Sequence, residues 1–148
     1  LEWVGESDSQ LLYKDFAHAP SKVKATTQAL KAQFPQRKLV AALELHTFSS
    51  LNPAFLPEYK GTLADADLAI IYLSEHARAI KQMDRIEAET VQSYFNHSNL
   101  IVVREQEELK QILLKQNQEN QNLLMMSSGT FDGLDFPGFA TELGLRIQ

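Results

Sequence analysis

Lys38-Leu39-Val40-Ala41-Ala42-Leu43-Glu44-Leu45 is the stretch whose reading decides the fold. Its apolar residues follow one another without alternating, and the run is too short for an ordinary helix. That is the pattern of a strand covered on both faces, the situation inside a parallel sheet. Asp67 to Leu73 (DLAIIYL), Asn99 to Arg104 (NLIVVR) and Asn122 to Ser127 (NLLMMS) repeat it. Gln10 to Phe16 reads as a further strand, and Leu1 to Gly5 as its antiparallel neighbour across the polar turn Glu6-Ser7-Asp8-Ser9.

The intervals between these strands carry helical spacing. Val23, Thr27, Leu30 and Phe34 fall on one face of a helix that opens after Pro20 and stops at Pro35. Ala88, Val91, Tyr94 and Phe95 mark a short helix, and Leu109, Ile112 and Leu113 the stripe of another. Glu105, Glu107 and Glu108 suit the first turn of that helix, where acids favour the positive end of the dipole. Residues 46 to 66 read as a long connection with one or two helical turns, His76 to about Glu87 as irregular, polar and mobile, and Gln116 to Gln121 as a polar tail. Asp135 caps a final helix, with Pro137 near its start and Gly144 past its end. Strands recur every roughly 25 to 30 residues with a crossover between, which is the pitch of βαβ units. The expectation is an α/β, Rossmann-like open sheet of about five to six mostly parallel strands, with helices on both faces and an antiparallel N-terminal strand.

No linker divides the chain, so residues 1–148 read as a single domain. Apolar content of 44% and charged content of 22% are those of an ordinary globular protein. A net charge of −5 argues against a general nucleic-acid surface, which needs clustered Lys and Arg. The absence of cysteine removes disulfide and thiolate chemistry. No apolar run approaches a membrane helix and no signal peptide is visible, and the lack of cysteine fits a cytoplasmic protein. Leu rather than Met stands first, so the chain reads as a fragment, the C-terminal part of something larger.

The polar residues crowd just after four of the strands. In a parallel sheet these carboxyl ends share one edge, where ligands bind. Asp15 ends one strand, and a carboxylate there accepts from ribose hydroxyls or a metal-bound water. His18 in the same turn can bond an acyl or phosphate oxygen. Equally, both residues could only satisfy backbone groups at a helix start. His46 with Thr47, Ser49 and Ser50 supplies donors, or an ordinary solvated turn. Glu44 is different: a lone carboxylate in an apolar strand is costly to bury, so it lies at the crevice or is paired. His76, Arg78, Lys81 and Arg85 offer positive charge to a carboxylate-rich ligand, or a solvated loop. Ser127-Ser128-Gly129-Thr130-Phe131-Asp132-Gly133 offers small residues, exposed amides and hydroxyls for close approach of a ligand. His97 takes no role. The chain has no GxxxxGK[ST] loop, no GxGxxG fingerprint, no zinc-like spacing of His and acids and no arguable Ser-His-Asp set, and it lacks the acidic pair and lysine of a receiver domain.

Asp15-Phe16-Ala17-His18-Ala19-Pro20 resembles the D-[YF]-[AG]-H-x-P motif that opens the C-terminal domain of bacterial Mur ligases. Arg37 to Glu44 looks like that domain's second strand. Glu44 to Ser50 is similar to the E/Q-P-H-x-[YF]-[ST]-R segment of the branch acting on UDP-N-acetylmuramate. Met126 to Leu134 most resembles the M-S-N-G-x-F-x-G-[IL] ending of the peptide-recycling member of that branch. The resemblance spans nearly the whole chain. It implies the C-terminal acceptor-binding and closing domain of a three-domain, ATP-dependent amide ligase with Mg2+, both bound mainly by upstream domains. Such an enzyme joins L-Ala-γ-D-Glu-meso-diaminopimelate to UDP-N-acetylmuramate through an acyl phosphate, and this domain alone would be inactive. It further implies Asp15 as a catalytic ATP contact and His18 as a catalytic group beside the acceptor and acyl phosphate. His46, Thr47, Ser49, Ser127, Ser128 and Gly129 would line the peptide pocket. The family's ATP-touching Arg would fall just upstream of Leu1. Phe16 stands for the commoner Tyr, Ala19 for a frequent second His, and Ser50 for the Arg of the alanine-adding relatives, a loss that suits a longer acceptor. The L-alanine-adding ligase and a non-catalytic small-ligand binding module are the competing readings.

Overall fold

The structure is a computed structural model, and it describes residues 1–47, 51–116 and 119–147. The strands are β1 (Glu2–Glu6), β2 (Gln10–Asp15), β3 (Lys38–Glu44), β4 (Leu68–Tyr72), β5 (Leu100–Val103) and β6 (Gln121–Met126). The helices are α1 (Pro20–Gln33), α2 (Glu75–Lys81), α3 (Ala88–Phe95), α4 (Gln106–Lys115) and α5 (Phe136–Glu142), with a 3-10 turn over Leu56–Tyr59. The strands form one sheet in the order β1-β2-β6-β3-β4-β5. Only β1 against β2 is antiparallel; the other neighbours run parallel.

Period-two alternation splits the core into two layers. Leu39, Ala41 and Leu43 of β3 face the side holding Val23 and Leu30 of α1 and Val91 and Phe95 of α3. Val40 and Ala42 face the side holding Leu109 of α4 and Phe139 of α5. The chain runs outward from β2 to β3, β4 and β5 with its crossovers on the α1/α3 face. It then returns to β6 through α4 on the opposite face. Reversing direction moves the crossover to the other face because each connection keeps one hand. β6 thus wedges between β2 and β3.

The expected fold class holds, with corrections in detail. Residues 76–87 are not uniformly irregular. Ser74 accepts a hydrogen bond from Ala77 N at 2.9 Å, and this cap starts α2; the irregular stretch begins only after it. Helix α1 stops at Gln33, leaving Phe34 as its half-buried C-cap, and Glu105 occupies the N-cap position of α4, without a side-chain cap bond, instead of lying in its first turn. Asp135 does cap α5, accepting from Gly138 N at 3.1 Å.

Candidate functional site

The carboxyl ends of β2 to β6 share one edge of the sheet. Loops after β2 and β3 leave toward the α1/α3 face, and the loop after β6 toward the α4/α5 face. The crevices beside β6, against β2 and against β3, are therefore topological switch points, the places where open α/β sheets take ligands.

Between β6 and β3 the organising group is Glu44, buried at 1% exposure. Its Oε1 accepts from Ser127 Oγ at 2.5 Å and from Phe131 N at 2.9 Å. Ser127 Oγ in turn accepts from Gly129 N at 2.8 Å, so this hydroxyl is engaged on both sides within the loop. His46 places Nδ1 3.9 Å from Glu44 Oε2. A Cβ at Gly129 would stand 3.0 Å from the His46 ring, which is why glycine serves there: backbone and imidazole touch. Ser128 Oγ and His46 Nδ1 are both buried without a hydrogen-bond partner among the described residues.

The far end of the same loop is pinned equally firmly. Asp132 accepts from Tyr72 Oη at 2.5 Å and from Ser74 Oγ at 2.8 Å. Gln106 donates to the carbonyls of Phe131 and Asp132, each at 3.0 Å. Phe131 and Asp132 have φ of 52° and 58°, a left-handed backbone that side chains resist, so these contacts hold a costly conformation. Burial first, and then the Asp132 carboxylate, push the Tyr72 phenol far above its ordinary range.

Between β2 and β6 lies a cleft of about 530 Å³ lined by Lys14, Asp15, Phe16, Ser127, Gly129 and Thr130, among others. Ser127 N donates to Asp15 O at 3.0 Å, stitching its two walls together. Asp15 Oδ1 accepts from Ala17 N at 2.8 Å, and the amino nitrogen of Leu1 lies 2.6 Å from Oδ2. Both oxygens keep further lone pairs. Phe16 is 69% exposed, an aromatic face at the mouth of the cleft. His18 Nδ1 sits 2.9 Å from Phe16 O, while Tyr59 Oη donates to His18 O at 2.6 Å; burial pushes that phenol up to about 12. The turn after β2 is thus built as the backbone-satisfying reading required, and it still faces the cleft.

Beside β4 and β5, Glu75 draws in three guanidinium groups. Arg78 Nε reaches it at 2.9 Å, and Arg85 and Arg104 each at 3.8 Å. A second cleft of about 450 Å³ runs along this loop, past Asn52, Arg85 and Thr90.

The structure brings together Asp15, His46, Ser127, Ser128 and Gly129 around β6. His18 stands on the neighbouring turn, and neither it nor His46 nor Ser128 lines the 530 Å³ cleft. Thr47 follows His46 directly, whereas Ser49 and Ser50 lie outside the described residues. His97 is structural, its Nε2 2.8 Å from Ala66 O. Sequence reasoning flagged Glu44 as crevice or paired, and it is buried and paired, with Ser127 and Phe131. Tyr72, Gln106 and Arg104 were missed as contributors. The one signal for Tyr72 was a hydroxyl at the end of an apolar strand. Among the described residues no three His, Asp or Glu side chains gather as metal ligands, and no helix is long and apolar enough to cross a membrane.

The family described as "Mur ligase, glutamate ligase domain" matches residues 1–129. A UDP-N-acetylmuramate–L-alanine ligase of Streptococcus agalactiae is 31% identical over 112 residues, 65% of this chain and 25% of that protein. This chain spans about a quarter of the length of such relatives. A solved domain assigned to a UDP-N-acetylmuramate:L-alanyl-γ-D-glutamyl-meso-diaminopimelate ligase of Haemophilus ducreyi superposes with TM-score 0.68 at 26% identity, covering 97% of this chain and 98% of that one. The murein peptide ligase of Psychrobacter arcticus shares the fold, with TM-score 0.73 at 18% identity over 99% of this chain and 30% of that one. With the family's pattern running from β1 into the loop after β6, the chain belongs to the Mur ligases, as their glutamate ligase domain.

Proposed function

We propose that this chain is the C-terminal, acceptor-binding and closing domain of an ATP-dependent amide ligase. The enzyme would join L-Ala-γ-D-Glu-meso-diaminopimelate to UDP-N-acetylmuramate through an acyl phosphate, in cytoplasmic peptidoglycan recycling. The observation that carries this reading is the likeness to the Haemophilus ducreyi domain over nearly the full length of both chains. The loop Ser127–Gly129, organised by Glu44 and open to the cleft, supports it as the wall of a ligand pocket.

In this reading two domains precede residues 1–148 in the same chain and hold most of the ATP and Mg2+, and the isolated domain is inactive. ATP supplies the phosphoryl group that activates the muramoyl carboxylate. Asp15, with free lone pairs at the cleft, meets the nucleotide. His18 stands beside the acyl phosphate and the acceptor. His46, Thr47, Ser49, Ser127, Ser128 and Gly129 form the peptide pocket. Arg78, Arg85 and Arg104 carry more positive charge than Glu75 neutralises, and Lys81 lies on the same helix, which suits the carboxylates of a tripeptide. Domain closure excludes water from the acyl phosphate and aligns the attacking amine.

The second reading, UDP-N-acetylmuramate–L-alanine ligase, is favoured by the identity to the streptococcal enzyme. The test follows ADP release by the full-length protein with ATP, Mg2+ and UDP-N-acetylmuramate, adding either the tripeptide or L-alanine. Turnover with tripeptide alone is expected. Turnover with L-alanine selects the second reading, and silence with both leaves a non-catalytic binding module.

A further inference from the structure

His46 has one sealed nitrogen and one open edge. Nδ1 is buried and has no hydrogen-bond partner among the described residues, yet it lies 3.9 Å from Oε2 of the buried Glu44. Cγ, Nδ1 and Cδ2 lie against Gly129, while the side chain as a whole is 37% exposed, so its exposure lies away from the buried Nδ1. The other oxygen of Glu44 is occupied by Ser127 and Phe131, which fixes the carboxylate in place. Tyr72, whose phenol also feels the Glu44 charge, gives its hydroxyl to Asp132.

A neutral imidazole carries its proton on one nitrogen only. A lone pair at Nδ1 would face a buried negative oxygen with nothing to screen the repulsion. An N–H there satisfies an orphaned ring nitrogen and a desolvated carboxylate together.

We propose that Glu44 is a positioning residue for amide formation: it fixes His46 as the Nδ1–H tautomer, so that an unprotonated Nε2 accepts a hydrogen bond from the amino group of the incoming peptide. The amine as ligand rests on the ligase reading above; the tautomer does not. Glu44 itself touches no substrate. It acts through His46 and through the loop Ser127–Phe131, which it holds with the same carboxylate.

Glu44→Gln separates these two tasks. The amide oxygen can still accept from Ser127 and Phe131, while the amide N–H2 faces Nδ1 and donates to it. The tautomer must then invert, and His46 would present an N–H donor to a ligand amine that is itself a donor. Long-range ¹⁵N correlation spectra of the 148-residue chain, at alkaline pH where imidazole is neutral, read the tautomer directly. The expected result is Nδ1–H in the wild type and Nε2–H in Glu44→Gln, with the Phe131 amide resonance retained. In the full-length ligase, Glu44→Gln should lower kcat/KM for the peptide by at least about tenfold and leave KM for ATP unchanged. An Nε2–H tautomer in the wild type overturns the proposal, and so does an unaltered kcat/KM for the peptide in the variant. If Glu44→Gln loses the loop, the wild-type spectrum alone decides. An Nδ1–H tautomer in a protein that ligates no acceptor would instead bring down the ligase reading, and the amine as ligand with it.

Discussion

The crevice between β6 and β3 and the crevice between β4 and β5 each turn on a glutamate, but Glu44 is 1% exposed and Glu75 29%. Glu44 is met by a hydroxyl and a backbone amide at 2.5 and 2.9 Å. Glu75 is met by three arginines, two of them at 3.8 Å. The first arrangement gives up hydration and recovers it through short bonds that leave the loop one conformation. In the second, water remains on the charges, and the guanidinium groups keep unspent donors. A rigid wall and a loose cluster of cations therefore lie on one sheet edge. The first suits a group that must be aimed, the second a ligand whose charge matters more than its exact pose.

If that contrast is right, truncating Glu44 should cost the most. Glu44→Ala strands the Phe131 amide and the Ser127 hydroxyl in a buried site, and orphaned buried donors cost about 1–3 kcal/mol each. A loss of about 3 kcal/mol in urea-unfolding stability is expected. A loss below about 0.5 kcal/mol would show that the contacts of Asp132 and Gln106 suffice to pin the loop. Tyr72→Phe comes next. It removes one of the two side-chain donors to Asp132 and should cost about 1.5 kcal/mol. The same phenol, with Tyr59, predicts an alkaline limit. Their folded values are raised above the ordinary 10.0, so the stability they contribute is complete below that pH and is lost as pH rises beyond it. Absorbance at the tyrosinate band should show these two phenols ionising only as the fold opens; ionisation of Tyr72 in a still-folded chain would break the argument for its burial.

How much of this was legible beforehand depends on how far apart in the chain the partners lie. β3 could be read from Lys38–Leu45 because burial on both faces writes itself into a continuous apolar run. Glu44 stood out for the same reason, as the residue that broke the run. The strand order could not be read: wedging β6 between β2 and β3 depends on crossovers that alternate between faces, which no local pattern encodes. Helix α2 escaped because it buries none of its residues and so has no stripe; only the Ser74 cap starts it. Asp132 was visible as part of a glycine-flanked loop, but its donors Tyr72 and Ser74 lie 60 and 58 residues away. Arg104 closes the circle around Glu75 from a different strand end, for which the sequence offered nothing but a basic residue after an apolar run.

The smallest expected effect tests the other half of the contrast. Glu75→Gln removes the carboxylate from among Arg78, Arg85 and Arg104. Partly exposed ion pairs contribute about 0–1 kcal/mol, and screening lowers that further, so stability should fall by less than about 0.5 kcal/mol and become insensitive to added salt. The same change removes the one carboxylate shared by three guanidinium groups, two of which stay bonded to the Met83 and Ile86 carbonyls, and in the full-length protein it should tighten apparent binding of a multiply charged acceptor at low salt without altering that of ATP. A loss of stability comparable to that of Glu44→Ala would mean that Glu75 is the true anchor of its loop. The two crevices would then be built alike, and the arginines would be scaffolding for α2, with no charge left over for a ligand.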